Sequence, residues 1–180
     1  MHVRRDTGFT LWELLCALLI AGVLLGVGMP GVQAFVLDGR RVADVNGFVL
    51  AVQTARSEAA KRGRAVIVCR SENGSTCNHD APPSAGWIVF VNTDDVRPPQ
   101  RSTSEPLLLA HEPAIAGTIT ANRSYFEFRP FRQRSVNGTV VFCDRRGSSA
   151  ARAVIVSYTG RPRVDTKDAA GKPLRCAGLP

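Results

Sequence analysis

The hydrophobic pattern of the chain has a helical period up to about residue 62 and a strand period beyond it. From Leu14 to Leu37, "LLCALLIAGVLLGVGMPGVQAFVL" is 24 residues without a charge, long enough to cross a hydrocarbon core of about 30 Å as a helix. Pro30, beside Gly26, Gly28 and Gly31, predicts a kink or loosened turn rather than a stop, because helical apolar spacing resumes after it. Val42, Val45, Val49, Val52 and Ala59 then share one helical face, with Arg41, Asp44, Arg56 and Glu58 largely elsewhere. One long helix to about Lys61 is expected, ended by Gly63, with an apolar first half and an amphipathic half over 38–62.

After Gly63 come "RAVIVCR", "GWIVFVN", "GTITAN", "SYFEFRP", "GTVVFCD" and "RAVIVSYTG", short runs rich in β-branched and aromatic residues and separated by turn formers. They predict strands, with Trp87 in the core and "NTDDVRPPQRSTSEP" as a long exposed loop. The expected fold class is α+β: a long N-terminal helix packed on a globular domain, residues 63–180, of two antiparallel β-sheets.

Composition adds where the charge lies. The formal charge is +8, yet residues 1–122 carry 11 basic and 11 acidic side chains whereas residues 123–180 carry 12 and 4. Four of the five cysteines, Cys69, Cys77, Cys143 and Cys176, lie outside the apolar run. An even set in an exported domain favours disulfides over metal. Three pairings are possible; loop locality favours Cys69 with Cys77 and Cys143 with Cys176, and four reduced buried thiols are the alternative. "CNHD" beside Cys69 offers a metal reading, but a disulfide accounts for both cysteines and leaves His79 a surface residue. With three histidines and no nucleophile–base, paired-carboxylate or glycine-rich phosphate pattern, neither an enzyme, a cofactor nor a metal is expected.

Arg4 and Arg5 precede the apolar run, so the positive-inside tendency keeps the short N-terminus in the cytoplasm and sends the rest outward. The run is too long for a cleaved secretory signal and lacks a small-x-small site. Glu13 stands at its mouth, where a carboxylate costs about 2.5–3.5 kcal/mol at the membrane centre and less near the interface.

"RRDTGFTLWELLCALLIAGVLLGVGMP" resembles the prepilin signal of type IV pilins and type II secretion pseudopilins: a basic leader, a glycine, an aromatic, a glutamate four positions on, then an apolar helix. The resemblance implies that a prepilin peptidase removes residues 1–8, cutting between Gly8 and Phe9 and methylating Phe9. Residues 9–37 would then be the membrane-spanning, filament-core half of the helix in the bacterial inner membrane, with the C-terminal domain in the periplasm until assembly into a pilus or pseudopilus. Glu13 becomes the fifth mature residue and an assembly residue, its carboxylate neutralised by the new ammonium of a neighbouring subunit. Other major and minor pilins are the implied partners. "ARSEAAKRGRAVIVC", the cysteine pair before "GWIVF", and "VVFCD" followed by "AVIVSYTGRPRV" are similar to the GspH/FimT branch of that family.

In FimT-type minor pilins of transformable bacteria a Gly-Arg-x-Arg motif near the C-terminus is associated with DNA binding, and Gly160, Arg161, Pro162 and Arg163 match it. Gly160 lets the backbone turn, Pro162 biases Arg161 toward extension, and residues two apart on an extended segment point the same way. Two guanidiniums would fork onto phosphate oxygens without reading sequence. Lys167, Lys172 and Arg175, inside the loop that a Cys143–Cys176 bond closes, would extend the patch; Arg132 and Arg134 form a second pair. The expected function is a minor pilin that binds DNA nonspecifically, supporting uptake in natural transformation and pilus biogenesis. A structural minor pilin that primes assembly, a type II secretion pseudopilin, and a merely solvated basic turn are the alternatives.

Overall fold

The computed structural model describes residues 8, 10–130 and 135–176. The chain divides into two compact units, Met1–Asp38 and Gly39–Pro180. Helix α1 is assigned over Leu11–Arg62, and Pro30 lies inside it without ending it.

In the first unit α1 contains a segment long and apolar enough to cross a membrane, none of whose most apolar window is buried by the chain. Leu15, Leu18, Leu19, Ile20, Val23 and Leu24 are all more than half exposed. The helix opens on a capping box. Thr10 Oγ1 accepts from Glu13 N at 3.3 Å, and Glu13 Oε2 accepts from Thr10 N at 3.0 Å and from the Thr10 hydroxyl at 2.9 Å. Glu13 therefore has a partner within its own first turn, which the membrane-charge reading did not include.

In the second unit α1 ends at Gly63, whose φ of +62° and N–H bond to Ala59 O form a left-handed helix stop. Among the described residues eight strands follow: β1 (Ala65–Arg70), β2 (Trp87–Asn92), β3 (Leu107–His111), β4 (Gly117–Ala121), β5 (Tyr125–Phe128), β6 (Gly138–Asp144), β7 (Arg152–Val156) and β8 (Pro162–Asp165). They form two four-stranded sheets in the orders β3-β2-β1-β5 and β4-β6-β7-β8, every neighbouring pair antiparallel. Strand alternation sends Val66, Val68, Val89 and Phe126 of the first sheet, and Val140, Phe142, Val154 and Val156 of the second, into one core with α1 residues Val45, Phe48, Val52, Ala55 and Ala59. Phe48 is the joint. Its ring stands edge-on to Trp87 at 5.4 Å and Phe126 at 5.6 Å in the first sheet, and tilts against Phe142 of the second at 6.2 Å.

Several expectations are corrected. Arg41 and Asp44, placed largely off the apolar face, are nevertheless buried, whereas Val42, placed on it, is 49% exposed. Asp44 accepts from His111 Nε2 at 2.9 Å and from the N–H groups of Ala114 and Ile115 at 3.0 and 2.7 Å. Arg41 donates to the carbonyl of Ala150 and to Asp144 Oδ2. These polar residues latch the helix to the β3–β4 connection and to the end of β6, and their burial is tolerable because each meets a partner. Side-chain hydrogen bonds from Arg146 hold the Asp144 carboxyl below its ordinary range. The residue 92–106 loop, although largely exposed, is pinned: Arg97 forks onto Glu127 at 2.7 and 2.9 Å, and buried Glu105 accepts from the N–H groups of Thr93 and Ser102. Strand β3, "LLLAH", was not expected.

Disulfides join Cys69 to Cys77 and Cys143 to Cys176. The first lies in a small outer core with Ile67, Ile88 and Phe90; the second holds Leu174 on the outer face of the second sheet against Ala153 and Ile155.

Phe48→Ala removes the ring common to both sheets, and we expect it to cost about 3–5 kcal/mol of unfolding free energy. Denaturant unfolding of the detergent-solubilised chain, followed by near-ultraviolet circular dichroism, measures it; a loss under about 1 kcal/mol would mean that the sheets hold together without this contact.

Candidate nucleic-acid interface

The β7–β8 hairpin carries the expected motif. At its turn Gly160 has a φ of +73°, and a Cβ there would sit 2.8 Å from Ser135 Oγ and 3.1 Å from two carbons of the Phe128 ring. Both conformation and space demand glycine. The turn is closed by Gly160 N donating to Ser157 O at 2.8 Å and Ser157 N to Arg161 O at 3.1 Å, while Arg161 N donates to Ser157 Oγ at 3.1 Å. Ser135 N donates to Tyr158 O at 2.6 Å and ties the tip to the segment before β6.

Strand β8 is the edge of the second sheet, and Pro162 is its first residue, a place where a missing N–H breaks no ladder. The residues read as a turn with an extended exit are thus a paired strand. Register sets Arg163 opposite Ile155 and Asp165 opposite Ala153. Paired residues share a face, so Arg163 and Asp165 lie on the outer face, with the Cys143–Cys176 bond and Leu174.

Arg161 is exposed and, among the described residues, its side chain makes no hydrogen bond or ion pair. Arg163 is more than half exposed, but its Nη1 lies 2.8 Å from Asp165 Oδ2. An acid two positions on therefore competes for the second arginine. Lys167, Lys172 and Arg175 are exposed and, among the described residues, unpaired with any acid. The tail that bears them folds back on itself: Lys167 bridges to Pro173, and Asp168 Oδ1 accepts from the N–H groups of Ala170 and Lys172. Residues 157–176 hold five basic and two acidic side chains, so the patch stays net positive.

Other basic residues of the last third serve the fold. Arg129 pairs with Glu127 and Arg146 with Asp144. Arg152 donates to Ala151 O, and Arg123 Nε to Asn137 O. The concentration of charge seen in sequence is therefore only partly a free surface. Arg132, Arg134 and Phe9 lie outside the described residues, and Gly8 is exposed. Among the described residues no cluster of metal-ligating side chains occurs. Tyr158, 62% exposed in the hairpin turn, is a candidate that the sequence reading passed over; its only sequence signal is an aromatic inside a turn.

Two crystal structures of the type IV minor pilin FimU of Pseudomonas aeruginosa share this fold. One is 17% identical, with a TM-score of 0.52 over 76% of this chain and 97% of that one. The other is 19% identical, with a TM-score of 0.51 over 82% and 99%. Among curated proteins none matches the chain in sequence. Residues 44–160 match the family model described as type II transport protein GspH, a span that ends just before Arg161. The chain belongs to this GspH family, and so to the type IV minor pilins and pseudopilins.

Proposed function

We propose that this minor pilin binds DNA without sequence preference through Arg161 and Arg163, and that it supports DNA uptake in natural transformation as well as pilus biogenesis. The observation that carries the reading is the hydrogen-bonded hairpin that holds Arg161 exposed and, among the described residues, unpaired beside a disulfide-tied basic tail. Lys167, Lys172 and Arg175 extend the phosphate-binding face. Guanidiniums on a preorganised edge lose less freedom on binding than the same groups on a loose tail. No catalytic chemistry is required of the chain. In this account the helix anchors the protein in the inner membrane with its domain in the periplasm, prepilin peptidase cuts after Gly8 and methylates Phe9, and other pilins are its assembly partners.

The Arg163–Asp165 pair offers a second test of the reading. Binding to random-sequence duplex DNA, measured for the detergent-solubilised chain across a salt series, should weaken with salt. The Arg161→Gln, Arg163→Gln double variant should show a log–log slope shallower by roughly one to two units. Asp165→Asn, which releases Arg163 and removes a negative charge, should tighten binding by about two- to fivefold. Equal binding by the double variant would reduce the motif to a basic turn and favour a structural minor pilin or a pseudopilin.

Glu13 is assigned to assembly by charge, with the capping box holding the carboxylate in place until a neighbour's ammonium meets it. Glu13→Gln preserves the capping geometry and removes the charge. We expect it to lower incorporation into filaments as strongly as Glu13→Ala, measured by blotting of sheared pili. Wild-type incorporation of the glutamine variant would leave Glu13 with a capping role alone.

A further inference from the structure

Beside the β7–β8 turn lies a groove that the arginine motif does not use. It is lined by Tyr125 at the start of β5, Asn122 and Arg123 from the β4–β5 connection, Ser135 and Asn137 before β6, and Tyr158 from the hairpin turn. Its walls are fixed. Asn122 Oδ1 accepts from Thr139 N at 2.9 Å, Val136 N donates to Glu127 O at 3.2 Å, and Ser135 N donates to Tyr158 O. The Tyr125 ring is met edge-on by His79 at 5.6 Å.

Several side-chain groups in this frame are left unused by folding. Tyr158 is locked through its backbone, yet its side chain is left largely open to solvent. Arg123 spends its Nε on Asn137 O, while its terminal nitrogens have no protein partner among the described residues. Asn122 uses its carbonyl inside the protein, which leaves its amide nitrogen to donate outward. Two aromatic rings, a guanidinium and small amide and hydroxyl groups in one open groove suit a flat heteroaromatic ring carrying a nearby anion. Aromatic side chains accept any nucleobase by stacking, and a tyrosine held by its backbone pays little entropy to do so.

We infer that this groove takes an unpaired nucleobase of single-stranded DNA, stacked on Tyr158, with the adjoining phosphate at Arg123. The inference rests on the phosphate-binding reading of the neighbouring hairpin and adds to it a strand class. In a duplex the base faces are stacked and closed to the groove, so only a single strand engages both features.

The test compares an oligothymidylate strand with an abasic strand of equal phosphate count, each fluorescently labelled, by anisotropy with the full chain in neutral detergent. The wild type should bind the oligothymidylate about tenfold tighter than the abasic strand, in keeping with stacking energies per base. Tyr158→Ala should abolish most of that difference and leave abasic binding unchanged, whereas Tyr158→Phe should keep it. Equal wild-type affinity for the two strands, with both weakened in the Arg161→Gln, Arg163→Gln variant, would overturn the base groove while the phosphate reading stood. Absence of binding to either strand would overturn both.

Discussion

Phe48 fixes the architecture because it is the ring on which both sheets close. The amphipathic half of α1 offers little width for two sheets, and the small residues Ala51, Ala55 and Ala59, all buried, let the backbones approach. A core packed this closely leaves no room for the sheets to slide independently. The buried acids then set the register of the docking. Asp44 fixes the β3–β4 connection, and Asp144 gathers Arg41 and Arg146 at the end of β6. Uncompensated, either carboxylate would destabilise the core, so the contacts that satisfy them also specify where the helix sits.

From that frame the surface follows. The second sheet has its inner face against the helix, so its outer face needs another cover, and the tail supplies one through Cys143–Cys176 and Leu174. The bond that fastens this cover over Ala153 and Ile155 is also the bond that ties the tail carrying Lys172 and Arg175 to the second sheet. Fold and charge display are thus coupled. A loop this long, once closed, loses much of its freedom in the unfolded chain, for which the chain-entropy account credits about 3.5–4 kcal/mol. That stabilisation and the ordering of the basic patch come from the same covalent tie.

Much of this was legible in sequence because it rests on period and punctuation. The apolar run, the glycine stop at Gly63, six of the strands and the glycine at 160 each carry a local signal. What was not legible depended on partners. The run Leu107–His111 has leucines where a strand usually shows β-branched residues, and it pairs at a half-exposed edge. Helical-face arithmetic placed Arg41 and Asp44 largely off the apolar face because it registers polarity and not the carbonyls and amides waiting across the fold. The Thr10-x-x-Glu13 spacing was present, but Glu13 was weighed as a membrane charge and not as a cap. Counting net charge likewise treated Asp165 as background, although it lies 2.8 Å from Arg163. Tyr158, one aromatic in a turn, acquires meaning only when β4, β5 and the Ser135 segment are brought beside it.

The central claim is that the hairpin and its tied tail form the DNA-contacting face. Hydrogen–deuterium exchange of the full chain in detergent, with and without saturating DNA, tests it most directly. The account predicts slowed exchange over residues 157–176 with little change over β2 and the amphipathic half of α1. Slowed exchange confined to other segments, with the hairpin and tail unchanged while DNA is bound, would contradict it.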